Sequence, residues 1–141
     1  MEVIVATGGG FDPIHKGHIR LLKEAKKLGT RLVVILNSDA QLIKKKGRTF
    51  YPSQVERKEI MESIKYVDEV IIDPDTGITC EAALRLIHPD ILAKGGDRTP
   101  ANMARVEIDV CRELGIKIVY GVGGEKIQSS SWLIKKVGSV R

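Results

Sequence analysis

The sequence predicts an α/β fold in which five parallel strands form a doubly wound sheet with helices on both faces. Three observations predict it. Short β-branched runs recur at 3–6, 32–36, 70–72, 91–93 and 116–120. Each run is nearly uniformly apolar rather than alternating, as strands covered on both faces are. The stretches between them carry helical spacing and are long enough for the right-handed crossovers that join parallel neighbours.

The elements follow in order. Strand 3–6 leads into a glycine-rich turn, Thr7-Gly8-Gly9-Gly10-Phe11-Asp12-Pro13-Ile14-His15-Lys16-Gly17-His18. Ile19, Leu22, Ala25 and Leu28 then make a helical stripe, and Gly29 is expected to close it as a left-handed residue. Strand 32–36 runs into Asn37-Ser38-Asp39 and a cationic run, Lys44-Lys45-Lys46-Gly47-Arg48. Ser53-Gln54-Val55-Glu56 has the form of a capping box, and Met61 and Ile64 continue the buried face of that helix. After strand 70–72, Thr79 is expected to cap a short helix that must stop before Pro89. Strand 91–93 ends in Lys94-Gly95-Gly96-Asp97. Met103, Val106, Val110 and Leu114 mark another helix closed by Gly115. Strand 116–120 follows, and a last helix is expected to open at Ser129–Ser131.

The 141 residues, 43% hydrophobic and 29% charged, suit one core, so a single domain over 1–141 is expected. Lys and Arg number 23 against 18 Asp and Glu, a net charge of +5 that favours anionic partners: nucleotides, sugar phosphates, nucleic acid or acidic lipid. Cys80 and Cys111 belong to no CxxC or Cys/His cluster, which argues against a disulfide framework and a structural zinc site. No apolar run approaches the roughly 18 residues of a membrane span, and no basic leader precedes the first strand. The expectation is a cytoplasmic protein with no membrane partner.

The chemistry concentrates in the first turn. Glycines at a strand's carboxyl end let backbone approach a ligand, and the next helix presents free amides and a positive dipole end to phosphate. The dinucleotide-binding form fails because Pro13 stands where a third glycine is required, and the phosphate-loop form GxxxxGK[ST] is absent. What remains is His-x-Gly-His. If Gly17 and His18 are helical, His15 and His18 project to one side of the first turn, and Gly17 leaves room for a triphosphate. A zinc site built on this pair lacks a third protein ligand.

The blocks GGGFDPIHKGHIRLLKEAKKLG, RLVVILNSDA, YPSQVERKEIMESIKYVDEVI and DILAKGGD resemble, in content and spacing, the HxGH-type (cytidylyltransferase-like) nucleotidyltransferase superfamily. The resemblance spans nearly the whole chain. Within the superfamily it is strongest to glycerol-3-phosphate cytidylyltransferase and to the heptose-1-phosphate adenylyltransferase domain of ADP-heptose synthesis. It implies a Rossmann-like fold and transfer of CMP or AMP from CTP or ATP to a small phosphorylated polyol or sugar, with pyrophosphate released. A phosphate acceptor is already largely a dianion at neutral pH, so positioning and charge stabilisation carry such a reaction.

The resemblance also assigns roles. His15 and His18 contact the triphosphate and stabilise charge developing towards pyrophosphate. Thr7, Gly8 and Gly9 supply amides or a hydroxyl near the α-phosphate, with Gly10, Phe11 and Asp12 completing the nucleotide turn. Asp12 fits equally as a turn cap. Lys44 or Lys46 closes over the phosphates as a mobile loop, while Asp39, Arg57, Lys65 and Lys126 are assigned to the acceptor. Lys94, Gly95 and Asp97 line the nucleotide, and Gln128, Ser129, Ser130 and Ser131 bind the triphosphate while capping the last helix. Mg2+ travels mainly on the triphosphate, with no protein ligands expected. A homodimer is implied as well.

Two positions depart from the relatives, which carry arginine at Gly124 and at Lys65. The 97–105 stretch also differs, which leaves CTP against ATP open. An FMN adenylyltransferase is the alternative enzyme reading. A non-catalytic nucleotide sensor or nucleic-acid binder is the alternative of another class, disfavoured because mere binding has no need of the histidine pair.

Overall fold

A computed structural model describes residues 1–47, 53–75, 77, 79–96 and 98–124. The elements are β1 (Ile4–Gly9), α1 (Lys16–Lys26), β2 (Arg31–Leu36), α2 (Asp39–Lys46), α3 (Gln54–Glu62), β3 (Glu69–Ile72), α4 (Glu81–Ile87), β4 (Ile91–Gly95), α5 (Arg105–Leu114) and β5 (Lys117–Val122). All four strand pairings are parallel, in the order β3-β2-β1-β4-β5. Val5 pairs with Leu32 on one side and Ile91 on the other. The strands advance from β1 through β2 to β3, then return to lay β4 against the other edge of β1. That reversal opens a crevice at the carboxyl ends of β1 and β4, where doubly wound sheets take their ligands.

The uniform apolarity of the strands has its cause in two core layers. On one face Leu22 and Ala25 of α1 and Met61 of α3 pack with Val5, Leu32, Val34 and Leu36. On the other, Ala83 and Leu84 of α4 and Val110 and Cys111 of α5 pack with Ala6, Ile35 and Leu92. Successive residues of β2 thus enter opposite cores. Among the described residues no helix is long and apolar enough to cross a membrane.

The structure corrects several local expectations. β1 continues through Thr7, Gly8 and Gly9, which pair with Val34, Ile35 and Leu36, so the turn begins later than expected. α1 stops at Lys26 with Lys27 as its right-handed cap, and Gly29 is outside the left-handed region. Gly29 is needed for space, since a Cβ there would lie 2.5 Å from Val3 O. The Lys44–Lys46 run is the last turn of α2 rather than a loop. Ser38 and Gln41 form a full capping box at that helix's start, and Gly47 closes it at φ 78°. Ser53 caps α3, accepting from Glu56 N, but only this half of the expected capping box is formed. α4 begins one residue beyond Thr79's reach: Cys80 is its N-cap and makes no side-chain cap bond. It ends before Pro89 with His88 left-handed, and α5 closes on Gly115 as expected. The last helix falls outside the described residues.

Candidate active site

The β1–α1 connection is built around two histidines. His15 is the N-cap of α1, extended at φ −148°, and its Nδ1 accepts from Gly17 N at 3.1 Å. One turn on, His18 Nδ1 accepts from His15 N at 3.2 Å, completing a reciprocal capping box. The rings stack with centroids 3.8 Å apart and planes 18° apart, while the Phe11 ring meets His18 in a T-shaped contact with centroids 4.7 Å apart. Because each Nδ1 accepts a main-chain N–H, each proton sits on Nε2, so both imidazoles are neutral donors. Burial, His15 and the charge of Lys46 push the His18 pKa from 6.5 down to about 3. Gly17 is helical and both rings share a face, as their spacing predicts.

Beside this turn lies a pocket of about 680 Å³ between the carboxyl ends of β1 and β4 and the start of α5. The histidines are not part of its wall. They and Thr7, Gly8 and Gly9, which do line it, belong to the same strand–turn–helix. Among the described residues, Lys45, Lys94 and Arg98 line it against one carboxylate, Glu107. Lys94 Nζ donates to Glu107 Oε1 at 3.1 Å, and the two side chains are only 17% and 11% exposed. Lys45 Nζ donates to Asn37 Oδ1 at 3.2 Å. Burial lowers the Lys45 pKa; Glu107 opposes that shift and Lys94 and Arg98 reinforce it. The walls near α5 set Met103, Ala101, Ala104 and Cys80 beside the polar Thr79 and Asn102. Burial and Glu107 raise the Cys80 thiol to about 12, which keeps it protonated.

The remaining sequence-assigned residues divide. Gly95 and Lys94 line the pocket. Thr7 also lines it, but its hydroxyl donates to Ala93 O at 3.0 Å and so ties β1 to β4. Phe11 and Asp12 form the buried floor of the turn beside half-buried Gly10; Phe11 is left-handed at φ 50°, and a Cβ on Gly10 would meet Leu42 at 2.8 Å.

Arg57 departs most from its expected grip on an acceptor anion. It is 1% exposed, and its Nη1 donates to Gly10 O at 2.8 Å and to Asn37 O at 2.9 Å. Its Nη2 donates to Asp39 Oδ1 at 2.8 Å, so Asp39 is likewise engaged within the protein. Arg57 therefore fastens the glycine turn to the start of α2. Lys65 is exposed, 5.2 Å over the Tyr66 ring, and does not line the pocket.

Lys46 stands near enough to act on His18, and Lys45, which the sequence did not single out, lines the pocket. A signal for Lys45 existed: Ser38-x-x-Gln41 starts a helix on which Lys45 shares the face of fully buried Gln41. Glu107 had none, since a glutamate in a first helical turn is ordinary. At Gly124, φ is +79° and a Cβ would lie 2.8 Å from Arg20 Nη2, which gives a physical reason for glycine there. Asp97, Lys126, Gln128, Ser129, Ser130 and Ser131 lie outside the described residues.

Comparison with known proteins agrees with this geometry. A family profile described as "Cytidylyltransferase-like" matches residues 6–130. An FAD synthase of Thermococcus sibiricus is 44% identical over 97 residues, covering 69% of this chain and 65% of that protein. The bifunctional protein HldE of Hahella chejuensis is 40% identical over 125 residues, 88% of this chain and 24% of that protein. The chain thus spans less than two thirds of the length of these two relatives. The crystal structure of a lipopolysaccharide core biosynthesis protein from Thermoplasma volcanium superposes with a TM-score of 0.69 at 30% identity, covering 85% of this chain and 96% of that one.

Proposed function

Since this chain belongs to the cytidylyltransferase-like family, we propose that it transfers CMP or AMP from CTP or ATP to a small phosphorylated polyol or sugar, of the glycerol 3-phosphate or heptose 1-phosphate type, releasing pyrophosphate. The observation that carries this reading is the stacked His15/His18 pair, locked by main-chain bonds at the start of α1 beside a pocket that Lys45, Lys94 and Arg98 line.

The acceptor's phosphate oxygen attacks the α-phosphorus, a new P–O bond forms, and the bond to the β-phosphate oxygen breaks. No proton has to move, because the attacking phosphate is largely dianionic at neutral pH. Neutral Nε2–H donors suit the leaving pyrophosphate: held before the reaction begins, they strengthen as charge builds on its oxygens. Lys45, Lys94 and Arg98 offset the charge of two phosphorylated substrates in one crevice. A Mg2+ would ride mainly on phosphate oxygens and water, because it gives up its hydration reluctantly. Such an ion would supply charge neutralisation on the triphosphate.

The FAD synthases of Thermococcus and Pyrococcus among the relatives favour a second acceptor, the phosphate of FMN, with ATP as donor. Both readings put a phosphate monoester in the same place. Incubating the protein with each nucleotide and with glycerol 3-phosphate, heptose 1-phosphate or FMN, and identifying the product by mass spectrometry, separates them. Binding without product would instead mark a nucleotide sensor. A homodimer is proposed from the resemblance, and sedimentation velocity tests it.

A further inference from the structure

Glu107 is a carboxylate with more capacity than its neighbours use. It sits in the first turn of α5, is 8% exposed, and lines the pocket. Its Oε1 takes the Lys94 ammonium at 3.1 Å, and among the described residues no donor bonds its second oxygen. That oxygen is not fully enclosed, on a residue that lines the pocket. A carboxylate so withdrawn from water gains most from a further donor.

The surroundings specify the donor. Met103, Cys80 and Ala104 line the same pocket, and the Cys80 thiol is protonated, so this part of the wall is uncharged and suited to a flat ring. Lys94 places a donor beside the carboxylate acceptor. An amino group next to an unprotonated ring nitrogen, the edge shared by adenine and cytosine, presents the complementary pair.

We propose that Glu107 reads the nucleobase, its second carboxylate oxygen accepting from the exocyclic amino group of adenine or cytosine seated against Met103 and Cys80. The inference rests on the nucleotide occupying this pocket, as the functional reading above requires. It goes further in excluding bases whose corresponding group is a keto oxygen, which would face the carboxylate as acceptor against acceptor. A site built to take a hydrogen bond rejects an analogue that cannot give it.

The test is calorimetric titration of the protein, in Mg2+ buffer, with ATP against inosine triphosphate and CTP against UTP. The amino member of at least one pair is expected to bind about tenfold or more tightly, and Glu107→Gln and Glu107→Ala to bring that ratio towards one. Equal affinities within both pairs in the unsubstituted protein overturn the proposal and match a Glu107 that merely neutralises Lys94. A preference surviving in folded variants overturns it as well. If no nucleoside triphosphate binds at all, the functional reading fails first and the inference falls with it. The comparison of natural and keto nucleotides needs no variant, so it stands even where a substitution prevents folding.

Discussion

Arg57 Nη2 lies 2.8 Å from Asp39 Oδ1, and the same guanidinium holds Gly10 O and Asn37 O through its other branch. One buried side chain from α3 thereby sets the glycine turn of β1 and the first residue of the lysine helix α2 relative to each other. The turn carries the two histidines and the helix carries Lys45 and Lys46, so the candidate site depends on this joint.

Replacing Arg57 by Ala leaves two carbonyls and a carboxylate without their donor inside the protein. Asp39 keeps 38% of its side chain in water, so the loss comes chiefly from the two carbonyls and amounts to about 1–3 kcal/mol. Arg57→Lys keeps a charge but loses the planar fork, and restores only part of the loss. Urea unfolding of both variants checks this; an Arg57→Ala midpoint equal to that of the unsubstituted protein contradicts it.

His18 makes stability depend on acid. Its pKa is about 3 in the folded state against 6.5 for the free side chain, so the unfolded chain takes the proton first. Stability contributed by the neutral ring is complete above pH 6.5 and declines as pH falls from 6.5 towards 3. His18→Asn is expected to flatten that decline. Unfolding midpoints at pH 7 and pH 4, with an NMR titration of the ring, measure it. A His18 resonance titrating near 6.5 refutes it.

Gly29 and Gly47 are expected to respond differently to Ala. At Gly29 the new Cβ meets Val3 O at 2.5 Å, a backbone clash that costs about 1–3 kcal/mol. At Gly47 no atom of the described residues stands within 4 Å, and the left-handed φ of 78° opposes the change at about 1 kcal/mol. Thermal melting of the two variants is expected to show the larger loss at position 29, whereas equal melting temperatures would argue against the packing explanation.

The sheet was legible in the sequence because strands packed on both faces have no polar face to blur their pattern, and 32–36 is the plainest case. The His15/His18 geometry was legible too, since helical spacing alone places the rings. α2 was hidden by its own charge: Lys44-Lys45-Lys46 reads as a solvated loop unless Ser38 and Gln41 are recognised as its capping box. Arg57 reads as a surface or ligand arginine because nothing local shows that the ends of β1 and β2 converge on it. Glu107 and Lys94 stand 13 positions apart and meet only through the crossover from β4 to α5. Gly29 illustrates the reverse error, a helix-ending glycine whose real constraint is a distant carbonyl.

Lys45 is expected to matter more for nucleotide binding than Lys44, since Lys45 lines the pocket. Lys45→Ala should weaken CTP or ATP binding about tenfold, near 1.4 kcal/mol, and Lys44→Ala by less. Titration calorimetry of the two variants decides the order, and a larger loss in Lys44→Ala would reverse the assignment.

Pyrophosphate release measured in the protein and in His18→Ala, with CTP or ATP and each phosphorylated acceptor in turn, tests the central claim most directly. Release that requires an acceptor and falls about 100-fold or more in a folded His18→Ala variant is the predicted result. Folded protein that releases no pyrophosphate with any pair, or a His18→Ala variant that turns over unchanged, would contradict it.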